Sequence, residues 1–171
     1  MVTIRPEQIE DIPAVRAVNL AAFAGPQEAD LVDTLRRNCD RLLSLVAVVG
    51  ETVVGHVLFS PVTVKGEEQT LHGMGLAPMA VHPEHQSQGI GSQLIRHGLA
   101  ILGGQGCPFI IVLGHPDYYP RFGFERASHY HMRSQWPDVP DEAFMLLLLD
   151  RSLADRLSGV CYYRDEFNEI V

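Results

Sequence analysis

The chain has no run of basic residues longer than the pair Arg36-Arg37, and its formal net charge is -8. A nucleic-acid-binding domain normally shows a basic patch, so that class is set aside and the pair reads as a solvated helix face. Cysteine is scarce: Cys39, Cys107 and Cys161 are odd in number, and their spacing fits neither a disulfide framework nor a zinc site. They read as reduced thiols. The N-terminus lacks a basic segment followed by an apolar one, which argues against a signal peptide. The longest apolar run, around residues 144–149, falls far short of the ~20 residues that a membrane-spanning helix needs. Repeats and low-complexity tracts are absent. The expectation is a soluble, cytoplasmic protein that binds neither membrane nor nucleic acid.

What is present is an ordinary globular composition, 46% hydrophobic and 20% charged. A length of 171 residues suits one domain with a substantial core. The acidic balance mildly favours a cationic substrate, although whole-chain charge speaks mainly to solubility.

Residues 2–5 are β-like. Asp11 is placed to cap a helix whose first turn holds Pro13, with Ile12, Val15, Val18, Ala22 and Phe23 at helical spacing. Gly25-Pro26 ends it, and residues 28–38 form a second helix. Residues 43–49 and 52–64 make a hairpin about Gly50-Glu51. Residues 71–82 form a further strand containing Pro78, which cannot donate to a ladder, so the strand should bulge or leave its neighbour there. A helix runs from about Gly89 to Leu102, stopped by Gly103-Gly104. Residues 109–113 are all apolar, as in a strand covered on both faces. Residues 117–122 make a turn or short helix. Residues 124–133 and 143–149 are candidate strands, and a last one lies around 160–163. The order describes an α+β (mixed α/β) domain with a mixed sheet.

The informative unit is the strand 75–82, the loop 83–88 and the helix after it. A helix start leaves backbone N–H groups unpaired and carries partial positive charge. Gly89 and Gly91 let an anion approach closely, so the arrangement suits a phosphate or pyrophosphate, although a plain tight turn has the same spacing. A P-loop would need a Gly-Lys-Ser/Thr element, and no Lys occurs in residues 86–92. A dinucleotide fingerprint would need Gly or Ala where Leu94 stands.

The stretch Leu76-Ala77-Pro78-Met79-Ala80-Val81-His82-Pro83-Glu84-His85-Gln86-Ser87-Gln88-Gly89-Ile90-Gly91-Ser92-Gln93-Leu94-Ile95 resembles the acetyl-CoA motif of the GNAT N-acetyltransferase superfamily. Downstream, Tyr119-Pro120-Arg121-Phe122-Gly123-Phe124 resembles its Tyr-x-x-x-Gly-Phe element. Residues 112–124 and 136–144 are similar to the YhbS-like branch, and the resemblance spans about residues 1–150, leaving 151–171 as a C-terminal extension. It implies a single GNAT domain over 1–171: a central, mixed, mostly antiparallel sheet flanked by helices, with its fourth and fifth strands splayed. It also implies an acyltransferase that passes an acetyl group from acetyl-CoA, without a metal, to a primary amine on a small molecule or peptide. A homodimer is left open. The alternatives are a non-catalytic acyl-CoA-binding module and a transferase of aminoacyl or longer acyl groups.

Residue by residue, the resemblance implies that Gln86, Ser87, Gln88, Gly89, Ile90, Gly91 and Ser92 hold the CoA pyrophosphate. Met79, Ala80 and Val81 would pair their backbone with the pantetheine amides, and Tyr119 would protonate the leaving thiolate, although without the resemblance Tyr118 and Tyr119, next to Phe122 and Phe124, read as core aromatics. Gln86 stands where many members have Arg, which shifts the burden onto backbone dipoles. No motif fixes the general base; His82, Glu84, His72 and His115 are candidates that also read as surface residues. His72, His82 and His85 lack a zinc pattern. His129 and His131 alternate on the candidate strand and would share a face, exposed by default, with a place in a substrate cleft as the alternative. Trp136, among prolines, either packs over the sheet edge or lines an acceptor pocket, with packing preferred.

Overall fold

The structure is a computed structural model describing all residues Met1–Val171. Its elements are β1 (Val2–Pro6), α1 (Ile12–Ala22), α2 (Gln27–Asn38), β2 (Leu43–Val49), β3 (Thr52–Lys65), β4 (Thr70–Val81), α3 (Ile90–Gly104), β5 (Phe109–Leu113), β6 (Glu125–Arg126), β7 (Met132–Ser134), β8 (Phe144–Leu148) and β9 (Gly159–Tyr162). They fall into two compact units, with β3 and β4 continuous through both. No helix is long and apolar enough to cross a membrane.

The first unit comprises residues 1–59, 77–101 and 166–170. β1 runs antiparallel to β2, and β2 antiparallel to β3, with a bulge between Ala47 and Val48. The hairpin turn works because Gly50 takes a φ of 63°. α3 lies against β3 through two glycines. A Cβ on Gly55 would stand 3.1–3.2 Å from Leu94, Ile90 and Ala47, and one on Gly98 would run into the Phe59 ring. Ile90, Leu94, Ile95 and Phe59 are buried accordingly.

Asp11 occupies the N-cap position of α1, but its side chain makes no cap bond. Its carboxylate instead accepts both guanidinium nitrogens of Arg5, at 2.6 and 3.0 Å, and the Gln8 N–H at 2.8 Å. A charge-assisted bidentate pair outcompetes one neutral cap bond, and the Arg5 bond holds the Asp11 carboxyl below its ordinary range.

The second unit comprises residues 60–76, 102–165 and 171. β4 pairs parallel with β5 from Met74↔Ile110 to Leu76↔Val112. β8 lies antiparallel to β5 and to β6. β9 lies antiparallel to β3 and parallel to β7. Antiparallel pairings predominate in a mixed sheet. Gly75 is small because a Cβ would stand 2.8 Å from Val62 and 2.9 Å from Tyr163.

The expected strand over residues 124–133 is interrupted. Two residues of β6 are followed by a 3-10 turn, Ala127–Tyr130, and then by β7. His131 closes the turn at φ 57°, donating its N–H to the Ser128 carbonyl. His129 and His131 therefore lie in a turn and its cap, and do not share a strand face. The cysteines are free, Cys39 and Cys161 buried and Cys107 half-buried.

A buried polar group sits in the first unit. Asn19 Nδ2 donates to the Val15 carbonyl at 3.0 Å and to His56 Nδ1 at 3.2 Å. Because Nδ1 accepts, the imidazole proton is on Nε2 and is donated to Ser44 Oγ at 2.9 Å. In this tautomer the ring cannot take a proton from Ser44, so the trio is structural despite its Ser-His-Asn composition. Burial, aided by the Arg36 charge, pushes His56 down to about 3.

That shift has a stability consequence. The folded chain keeps His56 neutral where the unfolded chain, titrating near 6.5, protonates it. The unfolded state then binds more protons, so this stability is complete above about pH 6.5 and is lost as pH falls toward 3. Urea unfolding should show a loss of about 2 kcal/mol between about pH 7 and pH 5 from this group. His56→Gln, which cannot titrate there, should flatten the slope; equal slopes in both proteins would refute the assignment.

Candidate functional site

In the first unit the site is the end of β4, the loop after it and the start of α3. The β4–β5 ladder runs only to Leu76, and Pro78, with no N–H, follows two residues later. β4 continues to Val81 without a β5 partner. On its other edge the His82 N–H donates to the Val54 carbonyl at 2.8 Å, which fixes the strand end to β3. Ala80 is buried, while Met79 and Val81 are half-buried on the opposite face.

Beyond Val81 the chain makes a 3-10 turn, Pro83–His85, capped by His82, whose Nδ1 accepts the Glu84 N–H at 3.2 Å. Gln86 is extended, and Ser87 and Gly89 then take φ values of 61° and 80°. Positive φ at two alternate positions curls the backbone into a concavity, the shape in which successive N–H groups face an anion. Gln86, Ser87, Gln88 and Gly89 are exposed, whereas Ile90 is buried and anchors the helix start. Gly91 and Ser92 in its first turn are half-buried. The first N–H groups of α3 have no intrahelical acceptor by geometry. A Cβ at Gly89 would meet nothing within 4 Å. The glycine is therefore required by its φ, and the space before it is open to a ligand. A phosphate fits this cradle.

Gln86, the departure from arginine, has a definite task. Its Nε2 donates to the Val81 carbonyl at 2.9 Å, tying the loop to the strand end.

In the second unit Tyr119 begins the 3-10 turn Tyr119–Phe122, which Gly123 closes at φ 97°. The ring is buried, with 8% exposure. It meets Tyr118 edge-on at 5.2 Å and Phe124 at 5.8 Å between centroids. Its slot exists because residue 114 is glycine: a Cβ there would stand 2.9 Å from Tyr119 Cδ2 and closer still to Cε2. Burial pushes the phenol up to about 12. Tyr118 is only half-buried, with the Arg121 guanidinium 4.4 Å above its ring.

The candidate bases are scattered. His82 and Glu84 belong to the first unit, with Glu84 exposed. His72 and His115 belong to the second and are both exposed, and His115 Nδ1 accepts the Asp117 N–H at 3.4 Å. No group of three His, Cys, Asp or Glu side chains is arranged to hold a metal. Gly114 carries no signal in the sequence beyond its place at the end of an apolar strand, whereas Trp136 meets both of its expected alternatives, packing on Tyr163 and walling a cavity beside Gly114.

Comparison with known proteins places this geometry. The model of the acetyltransferase (GNAT) domain matches residues 3–127. YhbS of Escherichia coli strain K12, described as an uncharacterized N-acetyltransferase, is 38% identical over 166 residues, covering 96% of this chain and 98% of its own. The crystal structure of Escherichia coli YhbS in complex with CoA superposes with a TM-score of 0.91 at 36% identity, covering 99% of this chain and 93% of that one. A GNAT family acetyltransferase from Brucella melitensis, in complex with acetyl-CoA, gives a TM-score of 0.79 at 35% identity, covering 98% of each chain. A mixed sheet whose β4–β5 pairing opens after Leu76, with a glycine loop starting the next helix, is the GNAT fold. The chain belongs to the GNAT family of N-acetyltransferases, on the branch that includes YhbS.

Proposed function

We propose that this protein transfers an acetyl group from acetyl-CoA to a primary amine by direct attack of the amine on the thioester. The observation that carries the reading is the cradle at residues 86–91, with φ positive at Ser87 and Gly89 and open space before Gly89. Support comes from the relatives whose structures hold CoA and acetyl-CoA, each more than a third identical to this chain. On this reading residues 1–171 act as one acetyltransferase domain.

The backbone of Gln86, Ser87, Gln88, Gly89, Ile90, Gly91 and Ser92 would hold the pyrophosphate through N–H groups and the helix dipole. Met79, Ala80 and Val81 would hydrogen-bond the pantetheine along the β4 edge that β5 has left. When bound, acetyl-CoA supplies an activated carbonyl and a thiolate leaving group. The protein's share is to hold both reactants in one orientation, which converts a two-body encounter into a local one. A strand N–H polarises the carbonyl oxygen. Tyr119 holds a proton at Oη for the departing sulfur.

The pH dependence tests this division of labour. An alkylamine is mostly protonated at neutral pH and must lose a proton before it attacks. Tyr119, pushed up to about 12, stays protonated throughout the working range. Thiol release with a panel of primary amines should therefore rise from about pH 6 to pH 9 with no descending limb. A bell centred near neutrality, with chemistry rate-limiting, would show that the essential acid is a group other than Tyr119.

A further inference from the structure

The second unit contains a cavity of about 430 Å³ whose walls include Leu113, Gly114, Trp136, Asp138, Val139 and Pro140. We propose that it takes the acceptor amine, and that its walls select a small primary alkylammonium with an aromatic or branched aliphatic body. Calling its occupant the acceptor rests on the transferase reading above. The cavity wall is a fixed one. Trp136 stacks on Tyr163 with centroids 5.2 Å apart and a tilt of 34°. The loop behind it is closed by its own backbone bonds, Val139 N–H to the Trp136 carbonyl at 3.3 Å and Ala143 N–H to the Pro140 carbonyl at 3.0 Å. The Gly114 N–H ties the end of β5 to the Ala143 carbonyl at 2.9 Å.

The chemistry of the walls defines the occupant. Leucine, valine, proline and tryptophan side chains face an apolar body, and the one titratable side chain is the carboxylate of Asp138. No basic side chain contributes, so an anion finds no partner there, while a cation finds a carboxylate and an indole face. The volume lies at the low end of the ~300–1,000 Å³ span of small-molecule pockets, which favours a small amine over a peptide segment. Gly114 connects this cavity to the proposed acid: it lines the cavity, and its missing Cβ is what admits the Tyr119 ring.

Trp136 is the only tryptophan in the chain, so its fluorescence reports on this cavity directly. The experiment titrates the full chain with phenethylamine, and separately with phenethyl alcohol, which has the same body without the charge. Phenethylamine should produce a saturable change in Trp136 emission and bind about three- to fivefold more tightly than the alcohol, the size expected of a surface carboxylate contact and a cation–π contact. Asp138→Asn, at an exposed position, should lower the amine's affinity by about twofold, the carboxylate's share of that preference, and leave that of the alcohol unchanged. The proposal is overturned if wild type shows no saturable change, if amine and alcohol bind equally, or if Asp138→Asn has no effect. The titration contains no acetyl-CoA. Its failure therefore leaves the transferase reading standing, and failure of acetyl-CoA binding leaves the cavity's selectivity standing.

Discussion

Tyr119→Phe is expected to lower kcat by about 10²-fold, near the low end of what general acid catalysis contributes, with acetyl-CoA affinity unchanged. The substitution removes one hydroxyl and keeps everything that positions it. A phenylalanine ring still fills the slot that Gly114 leaves and still meets Phe124 and Tyr118 edge-on. The modest size follows from acidity. Burial, reinforced by Tyr118, pushes the phenol up to about 12, so Tyr119 is always protonated but gives the proton up reluctantly. A thiol titrates near ~8.5, so complete transfer to the sulfur is uphill and much of the benefit is a hydrogen bond to the developing charge. Steady-state rates, under conditions where the chemical step limits, measure the effect. Tyr118→Phe is the control, because its ring is half-buried and engaged by Arg121. Full kcat in Tyr119→Phe would remove the assignment, and a loss in Tyr118→Phe instead would move it by one residue.

The second large effect concerns the cradle. Gly89→Asp should weaken acetyl-CoA binding at least about tenfold. Two terms act together. Gly89 has φ 80°, where an L-residue costs ~1–2 kcal/mol, so the loop shifts away from its concave form. The new carboxylate also places its own negative charge at the helix start, competing with the pyrophosphate for the same dipole and N–H groups. Gly89→Ala should show the first term alone, because a Cβ there meets nothing within 4 Å and adds no clash. Gly91→Asp should weaken binding in the same direction through its charge. Isothermal titration of each variant, with thermal melting to confirm the fold, separates the terms. Unchanged affinity in Gly89→Asp would place the pyrophosphate elsewhere.

The parts of this molecule that were legible in the sequence are those fixed by local chemistry. Glycine spacing at a strand-to-helix junction marked the cradle, and helical spacing of Ile90, Leu94 and Ile95 gave the buried face of α3. Pro78 marked where the strand would bulge or leave its neighbour, because a proline cannot donate to a ladder, and the β4–β5 ladder ends just before it, at Leu76. What stayed hidden depends on distant partners. The strand expected around residues 160–163 is β9 (Gly159–Tyr162), but its pairing with β3 through Thr63↔Tyr162, nearly a hundred positions apart, leaves no local signal. The shared fold reaches into that tail, since the YhbS alignment covers 96% of the chain and passes residue 150. His129 and His131 alternate like strand residues, yet one left-handed residue at 131 turns the segment. Asp11 has the chemistry of a cap and is diverted by Arg5, a contact that only the folded chain creates. His56 is flanked by buried residues of β3, and only the structure shows that Asn19 and Ser44 satisfy both ring nitrogens. Gly114 follows an apolar strand with no motif of its own, and its task is visible only once Tyr119 lies against it.

On the proposed function, the end of β4, the loop at residues 86–89 and the start of α3 form an acetyl-CoA site. Calorimetric titration of the folded wild-type chain with acetyl-CoA tests it most directly. The expected result is a single saturable site per chain. No binding heat across a range of temperatures, from protein that still melts cooperatively, would contradict it.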